Sequence, residues 1–230
     1  ADPVADLLAA LAEAIPPEAT LAMPVFTFSF ISTGKYDYTN SQSETGMLTE
    51  AFRCRPGVLR SRHPFYSFAL SGPRAQELAA LDGATCWGDG TIFSAMEELD
   101  ADIVMLGSSW EQCTLFHRVE QTMEVPYRYA KTFSGQADFG DGQIEIETTL
   151  HVRRLDLPVE NSFRPLTDEL RATGKIRTAR LGRGNVEAAG AKDIIATGCE
   201  IIGEDSLALL GSASAYRRES TRWRVALMSS

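Results

Sequence analysis

The sequence lacks the features that would place it at once in several large classes of protein. Its 230 residues include four cysteines, but none of them forms a Cys-x-x-Cys pair, which argues against a zinc knuckle or a thioredoxin-type motif and fits free thiols in a reducing cytoplasm. It has no run of roughly 18 apolar residues, so we expect no membrane span. The amino terminus lacks the basic region and apolar core of a secretory signal. Together these absences favour a cytoplasmic protein.

Basic residues are also scarce. Lysine and arginine total 22 against 31 aspartates and glutamates, which gives a formal net charge of −9 at pH 7. Nucleic-acid phosphates require a basic face, so this balance argues against nucleic acid as a partner. An acidic surface suits a cationic substrate, although acidity that serves solubility alone is the more common case.

The order of the predicted elements indicates the fold class. Helix and strand patterns alternate along most of the chain, and residues 143–150 then alternate strictly after a Gly-Asp-Gly turn at 140–142. A hairpin turn before strict alternation is typical of an antiparallel ribbon. We therefore predict an α/β fold, a mixed-sheet α/β/α sandwich with an added antiparallel β-ribbon. We predict one domain over residues 1–230, with the ribbon as an insertion at 131–155 and a mobile tail at 211–230.

Several local predictions concern the candidate site and the elements around it. The apolar run at 101–107 predicts a buried strand, and the pattern after it predicts one helix over 111–123. Ser43 is predicted to cap a helix that follows it. Two short helices are predicted near the carboxyl end, at 191–198 and 206–210.

Residues 114–120, TLFHRVE, contain the most informative side chains of the chain. Residues three apart on a helix share a face, so His117 and Glu120 can touch, and Thr114 lies one turn back on the same side. A neutral imidazole held by a carboxylate is a general base that works near pH 7. The simpler interpretation is an amphipathic helix with a surface His–Glu pair, and spacing alone favours it.

Other chemistries of these side chains are less well supported. His-x-x-Glu is a spacing found in di-metal sites, but such sites repeat it on a second helix and this chain has one copy, so we discount a metal. Cys113, one turn before His117, is better explained as a small buried residue than as a nucleophile. A Gly-x-Ser-x-Gly motif is absent, which argues against a serine hydrolase. Of the other histidines, His63 lies in a predicted loop and His151 is predicted to be on the surface.

The remaining role for His117 is that of a base acting on the substrate itself. A protonated amine cannot attack an acyl group, so an N-acyltransferase must first remove that proton. The oxyanion that then forms needs a fixed donor. The hydroxyl of Thr114, one turn from the base, is placed to be that donor.

Six segments match the motifs of one known family in the family's order. Residues 20–27, TLAMPVFT, resemble its TLvMPtFT, and residues 43–53, SETGMLTEAFR, resemble its SEvGaltEaFR. Residues 113–120, CTLFHRVE, resemble its sxTxxHxxE. The remaining segments are RSRHPFYSFA at 60–69, GDGT at 88–91 and PYR at 126–128. In this combination the chain resembles the aminoglycoside 3-N-acetyltransferase family, also called the antibiotic N-acetyltransferase family.

The resemblance implies an activity and a role for the central motif. Members of that family transfer an acetyl group from acetyl-CoA to an amine of an aminoglycoside, and a motif histidine held by a motif glutamate acts as the base. Carried over to this chain, His117 is the base, Glu120 orients it, and Thr114 is the candidate oxyanion donor. The implied co-substrate is acetyl-CoA, without a metal, and the implied acceptor is a cationic aminoglycoside or amino sugar. The sequence leaves a homodimer open.

The resemblance also implies where the two substrates bind. Ser67, Gly90 and Thr91 would line the CoA channel. Asp37 and Glu44 are candidates for binding a cationic sugar because of their charge and loop position, with helix capping as the alternative role for Glu44. The strand and HSSL turn that precede the family's first helix, and contribute to its CoA site, have no counterpart in this sequence.

Three functions follow as expectations. The first is acetyl transfer from acetyl-CoA to an aminoglycoside antibiotic by direct attack of the amine, as in antibiotic resistance. The second is the same chemistry on a biosynthetic amino sugar, such as that of a cell-surface polysaccharide. The third is a non-catalytic, acidic binding domain that has lost CoA binding.

Overall fold

The computed structural model of this chain describes residues 2–81, 83, 85–155 and 160–211. The chain forms two compact units, which we call unit 1 and unit 2. Unit 1 comprises Ala1–Ile92 and Thr132–Leu150, and unit 2 comprises Phe93–Lys131 and His151–Ser230. Our assignment of one domain to residues 1–230 stays a prediction, and the predicted mobile tail lies, except for its first residue, outside the described residues.

The secondary structure consists of eight α-helices and nine strands within the described residues. The helices are α1 (Pro3–Ala14), α2 (Phe30–Thr33), α3 (Met47–Arg53), α4 (Ala75–Ala79), α5 (Ile92–Glu98), α6 (Phe116–Thr122), α7 (Arg164–Ala172) and α8 (Ala191–Glu204). The strands are β1 (Leu21–Pro24), β2 (Lys35–Asp37), β3 (Leu59–Arg60), β4 (Phe68–Ser71), β5 (Asp102–Leu106), β6 (Arg128–Asp138), β7 (Gln143–Arg153), β8 (Arg177–Leu181) and β9 (Gly184–Gly190). A 3-10 turn at Trp110–Gln112 precedes α6. None of the helices in the described residues has the length and apolar character needed to cross a membrane.

The described strands form three sheets of three strands each. The first sheet has the order β1-β4-β3 and is antiparallel. The second has the order β2-β6-β7, in which β2 runs parallel to β6. The third has the order β5-β9-β8 and is antiparallel. Helices combined with parallel and antiparallel strand pairs confirm the predicted α/β class.

The first sheet ends at a proline on its edge. Pro24 closes β1, an outer strand, where it pairs with Phe68 of β4. Proline has no N–H to donate to a sheet, so an edge position at the end of a strand suits it. One face of this sheet contributes to the core of unit 1, where Met23 and Ala69 pack with Leu8 of α1 and Phe52 of α3.

The predicted antiparallel ribbon is confirmed. Gly140 and other residues at the turn join β6 to β7, and Gly140 has a positive φ of 100° that favours glycine. Cross-strand hydrogen bonds join Ser134 to Glu147 and Gln136 to Glu145. From the first pair to the second, the residue number rises on β6 and falls on β7, as it does between antiparallel strands.

The third sheet differs from the sequence prediction in two ways. The prediction of a buried strand at 101–107 is wrong on burial, because β5 is an outer strand in which Val104 is 54% exposed and only Met105 is buried. The central strand is β9, which the sequence analysis did not predict. Its glycines and alanines, such as Ala188 and Ala189, give little of the β-branched or aromatic pattern that marks a strand.

The last helices were predicted as a pair, but α8 is a single helix over Ala191–Glu204. We expected the helix to stop at Gly198, because glycine often terminates helices. Instead Gly198 lies within α8, where an added Cβ would lie only 2.7 Å from Cγ1 of Val119 on α6. The missing side chain lets the two helices approach closely, and residues 206–209 form a turn rather than a second helix.

Two predicted helix starts are also wrong. Ser43 is not an N-cap, since α3 begins at Met47 and its N-cap residue is Gly46. The side chain of Ser43 instead contacts the hydroxyls of Thr45 and Thr49. The predicted helix at 111–123 is interrupted, because three residues separate the 3-10 turn from α6, which begins at Phe116.

Candidate active site

The centre of the candidate site is a histidine–glutamate contact on α6. Nδ1 of His117 lies 2.6 Å from Oε2 of Glu120, one helical turn away. The side chain of His117 is 22% exposed, whereas that of Glu120 is fully buried. The predicted contact is therefore present, and a buried carboxylate replaces the surface pair that spacing alone favoured.

The contact with Glu120 defines the tautomer of the neutral imidazole. A carboxylate accepts hydrogen bonds, so the proton of neutral His117 belongs on Nδ1. The lone pair then lies on Nε2. This is the atom that can take a proton from a substrate.

Glu120 has further polar neighbours from outside α6, among them Asn161, Arg128 and the side chain of Tyr127. Its Oε1 accepts a hydrogen bond of 2.8 Å from Nδ2 of Asn161. Its Oε2, which also contacts His117, lies 2.7 Å from Nε of Arg128. The Nε–H bond of Arg128 does not point along this line, so the contact is an ion pair rather than a hydrogen bond.

Burial and charge act in opposite directions on this pair. Burial lowers the pKa of His117, Glu120 opposes that effect, and the charge of Arg128 lowers the pKa further, with a net decrease. Burial alone would raise the pKa of Glu120, but the hydrogen bond and charge of His117 and the charge of Arg128 outweigh it, so this pKa is also lowered. Both shifts favour a neutral imidazole beside an ionised carboxylate.

Aromatic rings support the imidazole. The ring of Phe163 lies 5.5 Å from that of His117 in a T-shaped arrangement. Phe163 also packs edge-on against Phe116, whose other neighbour is the stacked ring of Trp110. The backbone N–H of Phe163 donates to Glu111, so the 3-10 turn fixes the segment that carries this ring.

Thr114 lies beside His117 but outside the helix. Its carbonyl oxygen accepts a hydrogen bond of 3.0 Å from the backbone N–H of His117. We predicted it one turn back on the same helix, and this was wrong because α6 begins two residues after it. The role of its hydroxyl as an oxyanion donor stays a prediction.

The residues predicted to line the CoA channel belong to unit 1. Ser67 is fully buried, and its hydroxyl donates to the carbonyl of Val25 and accepts from Arg60. Gly90 is exposed with a positive φ of 76°, and the hydroxyl of buried Thr91 donates to the carbonyl one turn before it. The structure thus gives Ser67 a role in packing, and the contacts of all three with CoA stay predictions.

The two acidic residues predicted to bind a cationic sugar each close a local turn. Oδ1 of Asp37 accepts from the backbone N–H groups of Thr39 and Asn40, and Oδ2 accepts from the side chain of Asn40. These bonds, above all that with the Asn40 side chain, lower the pKa of Asp37. Its negative charge is therefore retained well into the acid range, and its role towards a sugar stays a prediction.

The alternative role of Glu44, helix capping, is the one that its contacts show. Its Oε1 accepts from the backbone N–H groups of Phe28 and Ser29, at 2.7 and 3.0 Å. These groups immediately precede α2, so Glu44 caps that helix and not the one that follows it. Its binding of a cationic sugar stays a prediction.

The other two histidines have different environments. Nδ1 of His63 accepts from the backbone N–H groups of Phe65 and Tyr66, and burial lowers its pKa to about 4, so it is a neutral structural residue. The prediction that His151 lies on the surface is wrong, because its side chain is partly buried. Among the described residues its buried Nδ1 has no hydrogen-bond partner.

The site contains functional candidates that the sequence analysis did not single out. Arg128 belongs to the PYR segment, so that motif was its one signal in the sequence. Asn161 had no signal, since it lies far along the chain from Glu120 in a segment without periodicity. Within the described residues, we find no group of three or more histidine, cysteine or acidic side chains arranged to hold a metal.

Comparison with known proteins gives a consistent result. A family model described as aminoglycoside 3-N-acetyltransferase matches residues 2–202. Aminoglycoside N(3)-acetyltransferase IV of a Salmonella species is 30% identical over 125 residues, which cover 53% of this chain and 46% of the relative. The corresponding enzyme VIII of Streptomyces fradiae is 26% identical over 180 residues, which cover 73% of this chain and 62% of the relative. The matched regions thus cover about half to three fifths of these relatives' lengths.

A solved structure shows the same fold. The complex of AAC-IIIb with CoASH superposes on this chain with a TM-score of 0.75 and 20% sequence identity. The match covers 92% of this chain and 85% of that chain. At such low identity the likeness concerns the fold alone. It confirms the mixed α/β architecture.

Proposed function

Since the chain belongs to the aminoglycoside 3-N-acetyltransferase family, we propose that it transfers the acetyl group of acetyl-CoA to an amine of an aminoglycoside. The observation that carries the proposal is the contact of 2.6 Å between Nδ1 of His117 and a fully buried Glu120. The contact supports the proposal because a buried carboxylate can orient an imidazole and stabilise it when it accepts a proton.

In the proposed reaction, Nε2 of His117 takes a proton from the ammonium group of the acceptor. The freed amine attacks the thioester carbonyl carbon, so a C–N bond forms and negative charge develops on the carbonyl oxygen. When the tetrahedral intermediate collapses, the C–S bond breaks and the attacking nitrogen loses a second proton to become the amide nitrogen. Of the two protons that the ammonium group has lost, one goes to the sulfur of CoA, which leaves as the thiol, and the other is released to solvent. Glu120 stabilises the imidazolium form of His117 that exists between these steps.

Thr114 is proposed to stabilise the developing oxyanion. The carbonyl of Thr114 bonds to the backbone of His117, so the threonine is held beside the base. A hydroxyl fixed there is preorganised, which is the property that oxyanion donors need. Replacing Thr114 by Val removes the donor and keeps the shape, so a decrease in kcat without loss of folding is the expected result.

The proposal also assigns residues to the binding of the two substrates. Ser67, Gly90 and Thr91 are proposed at the CoA channel through their family motifs. Asp37, which ends β2 rather than lying in a loop as predicted, and Glu44, which precedes α3, are proposed to attract the cationic acceptor through their carboxylates. The net charge of −9 supports a cationic acceptor.

Thiol release provides the direct test. The purified chain is incubated with acetyl-CoA and a panel of aminoglycosides, and free thiol is measured with and without each acceptor. Acceptor-dependent release is expected, and His117→Ala should reduce it by about a thousandfold. Equal rates in the two proteins, with both folded by circular dichroism, would contradict the proposed base.

The alternative functions give different results in the same assays. Release with simple amino sugars but with no aminoglycoside would favour a biosynthetic acceptor. If calorimetry detects no binding of CoA, the non-catalytic binding domain is favoured. The cytoplasmic location, the homodimer and the absence of nucleic-acid or membrane partners stay predictions.

A further inference from the structure

The carboxylate of Glu120 is held by more contacts than a simple His–Glu pair requires. Its Oε2 is shared between His117 at 2.6 Å and Arg128 at 2.7 Å, while Oε1 bonds to Asn161 at 2.8 Å. Each oxygen therefore has a different partner outside α6. The side chain of Arg128 is 7% exposed and that of Glu120 is fully buried, so water does not substitute for either contact.

Arg128 is fixed independently of Glu120. Its Nη1 donates to the carbonyl oxygen of His151 at 3.0 Å, and its Nη2 lies 3.5 Å from Oδ1 of Asn161. These contacts place the guanidinium beside the oxygen that His117 also uses. Because the Nε–H bond is not aligned with that oxygen, the interaction works through charge.

Other charged and titratable groups lie around this cluster, and one of them, the side chain of Tyr127, interacts with Glu120 itself. Arg118, next to His117 in sequence, pairs with Glu97 at 2.6 Å. The carboxylate of Glu111 accepts the backbone N–H of Phe163. The remaining groups that interact with the cluster are Glu124, Tyr127, His151 and Asp205.

We propose that Arg128 and Asn161 are positioning residues of the His117 base and that they have separate tasks. Arg128 supplies a fixed positive charge at the Glu120 oxygen that contacts the imidazole, and so keeps the imidazole neutral and ready to accept a proton. Asn161 holds the other oxygen, and so fixes the plane of the carboxylate. The catalytic consequence rests on the proposed acetyl transfer, but the protonation of His117 can be measured without it.

The first experiment is an NMR titration of the imidazole protons. The chain has three histidines, so the signal of His117 is identified as the one missing from His117→Gln. Arg128→Gln removes a positive charge, and the midpoint of His117 should therefore move to higher pH. Arg128→Lys keeps the charge and should titrate like the parent protein. Arg118→Met is the matched control, since it removes another buried arginine of the same region, and it should also titrate like the parent.

The titration overturns the role of Arg128 if parent and Arg128→Gln have the same midpoint. If Arg128→Gln does not fold, Arg128→Lys decides, and a midpoint that differs from the parent's contradicts the proposal. Neither outcome depends on acetyl transfer. A protein that shows the expected midpoints but no thiol release would refute the proposed function and leave this inference intact.

The second experiment separates the two tasks by their pH dependence. Arg128→Gln should lower kcat at neutral pH and approach the parent's kcat at alkaline pH, where the imidazole is neutral in both proteins. Asn161→Ala changes no charge, so it should lower kcat by about tenfold at every pH with little change in KM. A pH-independent loss in Arg128→Gln, or an unchanged kcat in Asn161→Ala, contradicts the corresponding role.

Discussion

Each unit of the molecule contains a buried arginine that is associated with a histidine. Arg60 of unit 1 shares a motif with His63, and Arg128 of unit 2 shares a contact to Glu120 with His117. The two arginines have different types of partner. In unit 1, Arg60 is 4% exposed, and its five N–H groups bond to five neutral oxygens. These acceptors are the Ser67 hydroxyl, the Tyr38, Ser41 and Val25 carbonyls and the Thr27 hydroxyl. In unit 2, Arg128 lies against the carboxylate of Glu120.

This difference in acceptors shows that a buried arginine can have a purely structural role, without a charged partner. Arg60 has no carboxylate within hydrogen-bonding distance in the described residues, and burial lowers its pKa. Its neutral acceptors lie in three separate segments of the chain, so Arg60 holds these three segments of unit 1 together. Arg128 instead lies beside the carboxylate that contacts His117, the proposed base. Arg60 and Arg128 both belong to segments that resemble family motifs. Their contacts, and not the motifs, distinguish an arginine that holds the backbone together from one that lies beside the proposed base.

The largest expected effect is on the stability of unit 1. Arg60→Met removes five hydrogen bonds to buried and partly buried oxygens, and the free energy of unfolding should fall by roughly 3–5 kcal/mol. Urea denaturation followed by fluorescence measures this change. A loss below about 1 kcal/mol would mean that Arg60 does not hold the three segments together, and the contrast between the two arginines would fail.

The next effect is on the activity of unit 2. Glu120→Gln removes the charge that stabilises the imidazolium but keeps the shape, so kcat should fall by about 100-fold. Steady-state kinetics measures this change, and Glu97→Gln, which affects a carboxylate paired with Arg118, serves as the matched control with kcat near that of the parent. A kcat within threefold of the parent's in Glu120→Gln would remove the carboxylate from the mechanism.

The histidines allow the comparison to be sharpened by pH. The pKa of His63 is lowered to about 4 from 6.5 by burial, so the unfolded chain binds a proton that the folded chain does not. Its contribution to stability is therefore complete above about pH 6.5 and is lost as pH falls towards about 4, by roughly 3 kcal/mol. Unfolding free energies of the parent and His63→Asn across this range test it. Identical pH dependence in the two proteins would contradict the assignment.

The smallest expected effect is at a surface arginine of unit 1. The side chain of Arg62 is 45% exposed and pairs at 3.3 Å with Asp141, which is 80% exposed. Its guanidinium also lies over the ring of Phe139. Arg62→Met should cost less than about 1 kcal/mol, because solvent screens exposed pairs. A loss as large as that of Arg60→Met in the same denaturation assay would show that burial does not explain the difference between neighbouring arginines.

Local contacts of the site could be predicted from the sequence, and long-range ones could not. The spacing of His117 and Glu120 was enough to predict their contact, because helix geometry fixes which residues meet. Asn161 reaches Glu120 across 41 positions, and no periodicity connects the two. Arg128 was visible as part of a motif, but nothing in the sequence showed which acidic group it would face.

The fold was predictable where the pattern of side chains agreed with the packing. The ribbon was correctly predicted because alternation and turn chemistry both point to the same structure. β9 was missed because small residues such as Ala188 and Ala189 carry no strand pattern, although they occupy the centre of a sheet. The single helix α8 was missed because Gly198 was taken as a terminator when its role is to allow close packing.

Gly198 also determines how the site responds to changes far from the chemistry. An added Cβ there would lie 2.7 Å from Val119, which stands on α6 between the base and its carboxylate partner. A side chain at this position requires Val119 or one of the two helices to shift, and a shift of α6 would carry the imidazole with it. Substitutions on α8 can therefore change the position of the His117 imidazole without touching the residues that contact it, so this helix pair couples a distant surface to the geometry of the candidate site.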